Sequence, residues 1–283
     1  MASCVVQSGE SVMAEERGAM SAYDAAASTF ERHRALPDAV PRAVRAAILA
    51  ALPTPAPRLL DLGAGTGRFG RPFAAAGDDY VGIDLSFGML HEFAGRTEPG
   101  RPPPRLAQAD GERLPFADAS FDAVLMIHVF GGMRGWRRVL GEARRVLHPR
   151  GAIVIGRSVA PYDGLDARMK HRLQQLLAEG GVEAGPQNRR EHALHDLASA
   201  AQDHARVVAA RWSAARTPRA FLDRHRTGAR FSALPGEVRD ATLELLADWA
   251  TATFGSLDAA SSEPHAFELD VFTFASEAQH RHA

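Results

Sequence analysis

The chain alternates between two patterns of apolar residues, one typical of buried strands and one typical of amphipathic helices. Short, nearly continuous apolar runs are expected for parallel strands that are covered on both faces. They predict five strands, at 59–62, 80–84, 105–110, 121–130 and 152–156. Apolar residues at helical spacing fill the intervals between these strands. The alternation predicts an α/β fold with a mostly parallel sheet and helices on both faces.

The pattern changes beyond the fifth strand, where helices follow one another. Helices are predicted at 167–177, 190–201, 217–224 and 235–254, and further strands at 205–211 and 267–274. At the other end of the chain, helices are predicted at 21–35 and 38–52. We divide the chain into a tail at 1–20 that we expect to be disordered and a single domain at 21–283.

One stretch carries the strongest chemical signal, because residues 58–67 read Arg-Leu-Leu-Asp-Leu-Gly-Ala-Gly-Thr-Gly. A short helix is predicted directly afterwards, at 68–76. A strand, a glycine-rich turn and a helix form a cradle for a nucleotide, because glycine lets the backbone approach a ligand closely and the helix start offers free N–H groups. The dinucleotide pattern G-x-G-x-x-G requires glycine where Arg68 stands, so the spacing argues against a nicotinamide cofactor.

Acidic residues end the second and third predicted strands. Asp84 follows the glycines by about 20 residues, where a carboxylate at a strand end can accept both hydroxyls of a ribose. The alternative is that Asp84 caps the next helix, but Ser86 is better placed for that. Asp110 is followed by Gly111, and a simple Asp-Gly turn is the alternative interpretation of this pair.

These stretches together resemble the class I S-adenosylmethionine (SAM)-dependent methyltransferases. Asp61-x-Gly63-x-Gly65-x-Gly67 resembles motif I of that family, and residues 110–122 resemble its D-x-x-x-L-P-F-x-x-x-S-F-D stretch. Residues 142–151 resemble its E-x-x-R-V-L-x-P-G-G stretch, with Arg150 in place of the first glycine. The resemblance spans residues 55–158 and is greatest to the small-molecule branch that includes enzymes of ubiquinone and menaquinone biosynthesis.

The resemblance implies a Rossmann-like sheet of seven mostly parallel strands, the last of which is antiparallel and inserts between the fifth and the sixth. It implies that residues 21–157 bind SAM, that 158–204 form a helical lid over the active site, and that 205–283 supply the remaining strands and helices. It also implies methyl transfer from SAM to an O, N or C nucleophile of a small molecule by in-line displacement, with S-adenosylhomocysteine as the product.

The resemblance assigns three acids to three parts of SAM. Asp61 would help to hold the ammonium group, Asp84 the ribose, and Asp110 with Gly111 the adenine. The full set of expected cofactor-binding residues is Tyr23, Asp61, Gly63, Ala64, Gly65, Gly67, Asp84, Leu85, Met89, Asp110, Gly111, Glu112 and His128.

Further candidates have two interpretations each. His128, at the end of the fourth strand, is either a group near the transferred methyl, serving as a base, or a structural histidine bonded to backbone. Tyr23 either covers the cofactor or packs its helix on the core. Arg211, Trp212 and Arg219 are placed where a substrate could enter, although surface ion pairing is the more common role of such arginines.

Composition excludes several other classes. The net charge of −1 gives no global attraction for nucleic acid. The only cysteine, Cys4, excludes an intramolecular disulfide and a thiolate zinc cluster, and the histidines lack a credible ligand set, so we predict no metal. No apolar run approaches the ~18–20 residues of a membrane span. We expect a cytoplasmic monomer or homodimer without a membrane span.

Three alternatives remain open. A SAM-binding protein without catalytic activity would carry the same motif I. A nicotinamide-dependent oxidoreductase would use a similar cradle but different glycine spacing. A nucleic-acid methyltransferase would require a basic face or an Asn/Asp-Pro-Pro-Tyr-type motif after the fourth strand, where this chain has His128-Val-Phe-Gly.

Overall fold

The computed structural model describes residues 23–24, 27–28, 36–96, 100–131, 133, 135–182, 188–226, 231 and 234–275. The expected tail at 1–20 lies outside these residues. Of the helix expected at 21–35, Tyr23, Asp24, Ala27 and Ser28 are described and are helical.

Helices and strands alternate through the first half of the described chain and cluster in the second. The strands are β1 (Leu59–Leu62), β2 (Tyr80–Asp84), β3 (Arg105–Gln108), β4 (Phe121–Ile127), β5 (Leu147–Val159), β6 (Asp203–Arg216) and β7 (Ser261–Thr273). The helices are α1 (Ala39–Ala51), α2 (Arg71–Ala76), α3 (Phe87–Gly95), α4 (Trp136–Val146), α5 (Leu165–Glu179), α6 (Arg189–Ala200), α7 (Pro218–Arg226) and α8 (Gly236–Phe254).

The strands form one seven-stranded sheet in the order β3-β2-β1-β4-β5-β7-β6. The strands from β3 to β5 pair in parallel, whereas β7 is antiparallel to both β5 and β6. The expected Rossmann-like sheet, with its last strand inserted antiparallel, is therefore confirmed. The carboxyl ends of the parallel strands consequently lie along one edge of the sheet, which we call the carboxyl edge. The first βα turns and the end of β4 lie at this edge.

Helices cover both faces of the sheet. On one face, α1, α2 and α3 bury apolar side chains that include Ile48, Phe73 and Phe93 against β1, β4 and β7. On the other face, α4 and α6 bury Trp136 and Leu197, among others, against β4, β5 and the end of β7. The central strand β4 is accordingly buried on both faces, as its continuous apolar run predicts.

Several strands differ in length from the prediction. β4 ends at Ile127, so the segment to Phe130 is a loop rather than strand. β5 begins at Leu147, earlier than predicted, and β6 and β7 are much longer than predicted. Residues 211–216 of β6 pair with 261–266 of β7, which carries this pair of strands beyond the end of β5.

A third apolar cluster joins helices that are distant in sequence. Met169 and Leu173 of α5, Phe221 of α7 and Leu246 of α8 are buried together, separately from the two sheet faces. These helices follow β5, follow β6 and precede β7, so they rise from the carboxyl edge; we call them the cap. Of the predicted lid at 158–204, α5 belongs to the cap, while α6 packs on the sheet beside α4 because Ala193 and Leu197 are apolar and face it.

Candidate functional site at the carboxyl edge

The glycine-rich loop after β1 has the backbone conformation that its sequence requires. Gly63, Gly65 and Gly67 have φ angles of +78°, +56° and +78°, a region that side chains disfavour. A Cβ atom at Gly67 would overlap the ring of Phe93, and one at Gly63 would lie 2.5 Å from Val129 Cγ1. A Cβ at Gly65, in contrast, would meet only the Gly63 carbonyl oxygen, at 3.9 Å, so the middle of the loop is otherwise open to a ligand.

Asp84 ties this loop to the end of β2. One carboxylate oxygen accepts the Gly65 N–H at 2.9 Å and the other accepts the Ser86 N–H at 2.9 Å. Burial raises the pKa of Asp84 above its usual value, an effect opposed by these backbone donors. The backbone of Leu85 also favours the ionised form of Asp84. Ser86 caps α3 by accepting the Met89 N–H at 3.2 Å, as predicted, and Met89 is buried.

Asp61 lies within β1 and is only 3% exposed. The hydroxyl of Tyr80, on the neighbouring strand β2, donates a hydrogen bond of 2.6 Å to its carboxylate. Burial raises the pKa of Asp61 to about 7, although this hydrogen bond acts in the opposite direction. Asp61 is therefore held in one orientation close to the glycine loop.

Residues of the N-terminal segment reach the same edge. Asp24 accepts hydrogen bonds from the Ser86 hydroxyl and from the Gly88 N–H, the latter at 2.9 Å. The contact places Tyr23, the neighbour of Asp24, near the start of α3. Leu85, between the second strand and this helix, is 44% exposed.

Asp110 follows β3 and is exposed. Its carboxylate accepts the Glu112 N–H at 2.8 Å, and its carbonyl accepts the Arg113 N–H at 3.0 Å, so the segment is a tight turn. Glu112 pairs with Arg138 of α4 at 3.2 Å. Asp61, Asp84 and Asp110 thus stand within or just after three adjacent strands, β1, β2 and β3.

His128 occupies the first position after β4 and has a φ angle of +58°. Its ring opens onto solvent at the carboxyl edge, between the rings of Phe69 and Phe267, whose centroids are 5.8 Å and 5.6 Å away. Nε2 of His128 lies 3.3 Å from the hydroxyl of Ser158. The surrounding protein atoms and, after them, the positive charges of Arg68 and Arg190 lower the pKa of His128 to about 4, so the ring is neutral at pH 7.

Arg211 and Trp212 do not join these residues. They lie on opposite faces of β6, the outermost strand, since neighbouring strand residues alternate. Trp212 stacks on His265 with ring centroids 5.5 Å apart. The nearby Arg219 pairs with Asp258 at 2.6 Å, which is the surface ion pairing considered from the sequence.

Sequence reasoning missed the residues that support the acids. The apolar pattern identified Tyr80 only as the start of a strand, and no pattern connects Asp24 to a helix more than sixty residues away. Ser158 and Phe267 lie beside His128 because β4, β5 and β7 are neighbours, and Phe69 reaches it from the segment between β1 and α2. The position of Ser158 at the end of a parallel strand is a signal that could have identified it.

The described residues contain neither a candidate metal cluster nor a candidate membrane span. No cluster of three or more His, Cys, Asp or Glu side chains suited to a metal ion occurs in those ranges. Within the same ranges, no helix combines the length and the apolar character that a membrane span needs.

Residues 60–155 match the protein family described as "Methyltransferase domain". This stretch contains the glycine loop, the acids and the β4 loop described above. Residues 60–155 therefore form a methyltransferase domain. The resemblance inferred from the sequence is confirmed, and the domain's central strands build the carboxyl edge.

Curated relatives of this methyltransferase domain cover the chain to different extents. A demethylmenaquinone methyltransferase of Renibacterium salmoninarum is 38% identical over 110 residues, which are 39% of this chain and 45% of the relative. The chain thus spans about half the length of such relatives. A malonyl-[acyl-carrier protein] O-methyltransferase of Methylococcus capsulatus is 29% identical over 249 residues, 81% of this chain and 90% of the relative.

Solved structures share the fold of the methyltransferase domain and its surroundings. A putative methyltransferase from Bacillus halodurans has a TM-score of 0.53 at 18% identity and covers 83% of this chain and 99% of its own. A putative type II methyltransferase from Anaeromyxobacter dehalogenans has a TM-score of 0.54 at 17% identity, with coverage of 83% and 97%. At these identities the likeness concerns the fold alone.

Proposed function

We propose that this protein is a SAM-dependent methyltransferase that acts on a small molecule. The observation that carries the proposal is the arrangement of three acids, Asp61, Asp84 and Asp110, on three adjacent strands around a glycine loop with an open centre. The family match of residues 60–155 supports the same activity.

The residues present fit the chemistry of SAM. The open space at Gly65 admits a ligand against the backbone, and a Cβ there would intrude on it. The carboxylate of Asp84, at the end of β2, suits the two ribose hydroxyls, and exposed Asp110 with the backbone of Gly111 suits the adenine edge. Asp61, oriented by Tyr80, suits the ammonium group of the amino-acid end. Leu85, Met89 and Glu112 line the remaining walls in this proposal, and Tyr23 covers the ligand from the N-terminal side.

Bound SAM supplies a methyl group that its sulfonium has already activated. The chain's own task is then to orient the acceptor in line with the S–CH₃ bond and to exclude water, and such positioning contributes several kcal/mol to a rate. His128 stands at the place where the acceptor would approach. With its pKa lowered to about 4 it is neutral, can hydrogen-bond through Ser158 or to the acceptor, and is a weak base.

The names of the relatives suggest two kinds of acceptor. One relative is named for methylation of demethylmenaquinone, and the other for methylation of malonyl-[acyl-carrier protein] on oxygen. We place this chain with the small-molecule methyltransferases and propose that the cap, formed by α5, α7 and α8, covers the acceptor. Arg211 and Trp212 remain candidates for the outer rim of that space.

The test is transfer of a labelled methyl group from SAM to compounds in a metabolite extract. We expect label in an extract compound with the wild-type protein and its loss when Asp84 is replaced by Ala. The matched control is Asp258→Ala, which removes an exposed acid at a distance from the carboxyl edge. If no compound of the extract becomes labelled although the protein binds SAM tightly, the protein is a non-catalytic SAM-binding protein. Enhanced fluorescence on addition of NADH would favour an oxidoreductase.

A further inference from the structure

The segment that joins β3 to β4 lies along one side of α4. It includes the Asp110–Gly111 turn and contacts residues 135, 138, 139, 142 and 145. These positions recur every three or four residues, so they line the same side of the helix. The segment therefore makes a long contact with a single helix.

Glu142 and Arg145, one turn apart on α4, hold the middle of this segment by its backbone. Glu142 accepts the Leu114 N–H at 2.7 Å. Arg145 donates to the carbonyl of Leu114 at 3.1 Å and to that of Phe116 at 2.8 Å. It also donates to both carboxylate oxygens of Glu142, at 2.7 Å and 2.8 Å. Loss of either side chain would release backbone groups of the segment from the helix.

The turn that we assign to the adenine lies at the other end of this segment. Asp110 closes the turn, because its carbonyl accepts the N–H of Arg113, which directly precedes Leu114. A Cβ at Gly111 would lie 3.4 Å from Val139 Cγ1, so the turn itself also packs on α4. The position of Leu114 on the helix therefore limits where the Asp110 carboxylate can point.

Glu142 and Arg145 are not among the expected contacts of the cofactor. Their side-chain hydrogen bonds go to the backbone beyond the turn, to each other and to Asp118. Leu114, which both of them hold, is buried in the core on this face of the sheet. Any effect of the pair on a ligand must therefore pass through the backbone of the segment.

We propose, on the basis of the function proposed above, that Glu142 and Arg145 are positioning residues for the adenine end of the cofactor. They hold Leu114, and Leu114 fixes the Asp110–Gly111 turn at the height where it meets the base. This gives a role to two stretches of the sequence together, because residues of 142–151 hold the backbone of 110–122.

The base of the cofactor offers a way to measure the position of Asp110. Its carboxylate can accept a hydrogen bond from the amino group of adenine. In S-inosylhomocysteine a carbonyl oxygen replaces that amino group, so an oxygen would face the carboxylate and the hydrogen bond would be lost. The ratio of the affinities for S-adenosylhomocysteine and S-inosylhomocysteine therefore reports on this contact, whereas a loss elsewhere in the site lowers both affinities alike.

Calorimetric titration with the two ligands tests the proposal. We expect the wild type to prefer S-adenosylhomocysteine by about tenfold or more, because a hydrogen bond to a charged group is at stake. Arg145→Gln and Glu142→Ala should each reduce this preference to about threefold or less. The matched control is Arg137→Gln, on the same helix, because Arg137 pairs with Asp196 of α6 at 3.5 Å and should keep the wild-type ratio.

Circular dichroism and the melting temperature of each variant separate positioning from stability. Glu142→Ala keeps the bonds from Arg145 to both carbonyls, so it decides the matter if Arg145→Gln does not fold. A wild-type ratio in the folded variants, even with a lower melting temperature, would overturn the proposal and leave SAM binding intact. Equal affinity of the wild type for the two ligands would also overturn it. A wild type that binds neither ligand would instead contradict the proposed function.

Discussion

Each of the three acids at the carboxyl edge has a different environment. Asp61 is buried against a tyrosine hydroxyl, Asp84 holds backbone N–H groups, and Asp110 is exposed within a turn. The sequence predicted all three positions, because spacing along strands fixes where a strand ends. It could not predict that Tyr80 donates to Asp61, since that contact depends on the registry of β1 with β2. It also left the role of His128 open, which depends on the rings and the charges around it.

The Tyr80–Asp61 pair makes cofactor affinity sensitive to pH. Binding of an ammonium group requires the ionised form of Asp61, whose pKa is about 7. SAM affinity of the wild-type protein should therefore increase as pH rises through about 7. Tyr80→Phe removes the hydrogen bond that lowers this pKa while keeping the ring stacked on Phe73, so the increase should occur at higher pH.

Calorimetric titration with SAM over a series of pH values measures both curves. Asp61→Asn is the matched control, because an amide does not titrate and its curve should lack this pH step. A wild-type curve that lacks the pH step, like that of Asp61→Asn, would show that Asp61 does not contact the ammonium group, and superimposable curves for the wild type and Tyr80→Phe would show that the Tyr80 hydrogen bond does not set the pKa of Asp61.

At the scale of helices and strands, local chemistry predicted starts and stops better than lengths. Ser86 caps α3 as expected, and Gly77 ends α2 with a φ angle of +77°. The lengths of β6 and β7 were underestimated, because residues 205–215 of β6 are rich in alanine, which has weak strand preference. These strands extend because they pair with each other, and pairing between distant segments leaves little trace in the local pattern.

Gly67, in the glycine loop, and Gly77, at the end of α2, have nearly equal φ angles. Replacing each by alanine therefore distinguishes the cost of backbone strain from the cost of a steric overlap. Gly77→Ala places a side chain at φ +77° in open space and should cost about 1–2 kcal/mol of unfolding free energy. Gly67→Ala has φ +78° and also overlaps the ring of Phe93, which should add about 1–3 kcal/mol. Urea unfolding of both variants measures the difference. Equal losses would mean that Phe93 does not pack against the loop.

At the scale of the whole molecule, the order of strands places the chemistry. The hydrophobic pattern predicted an α/β fold, but the insertion of β7 between β5 and β6 followed from the family resemblance. The cap could not be assembled from the sequence, because its three helices come from separate segments that meet through one apolar cluster. In the function we propose, the carboxyl edge joins a cofactor half, built by β1 to β4, to an acceptor half beside β5 and the cap.

The most direct test of this account is calorimetric titration of the protein with S-adenosylhomocysteine. We predict saturable binding to the wild type, and a loss of about 1–3 kcal/mol in Asp84→Asn, because hydrogen bonds to a charged group are removed. Asp258→Asn, an exposed acid paired with Arg219, should bind as the wild type does. Absence of binding to the wild type, or equal affinity in Asp84→Asn, would contradict the assignment of the carboxyl edge as the SAM site.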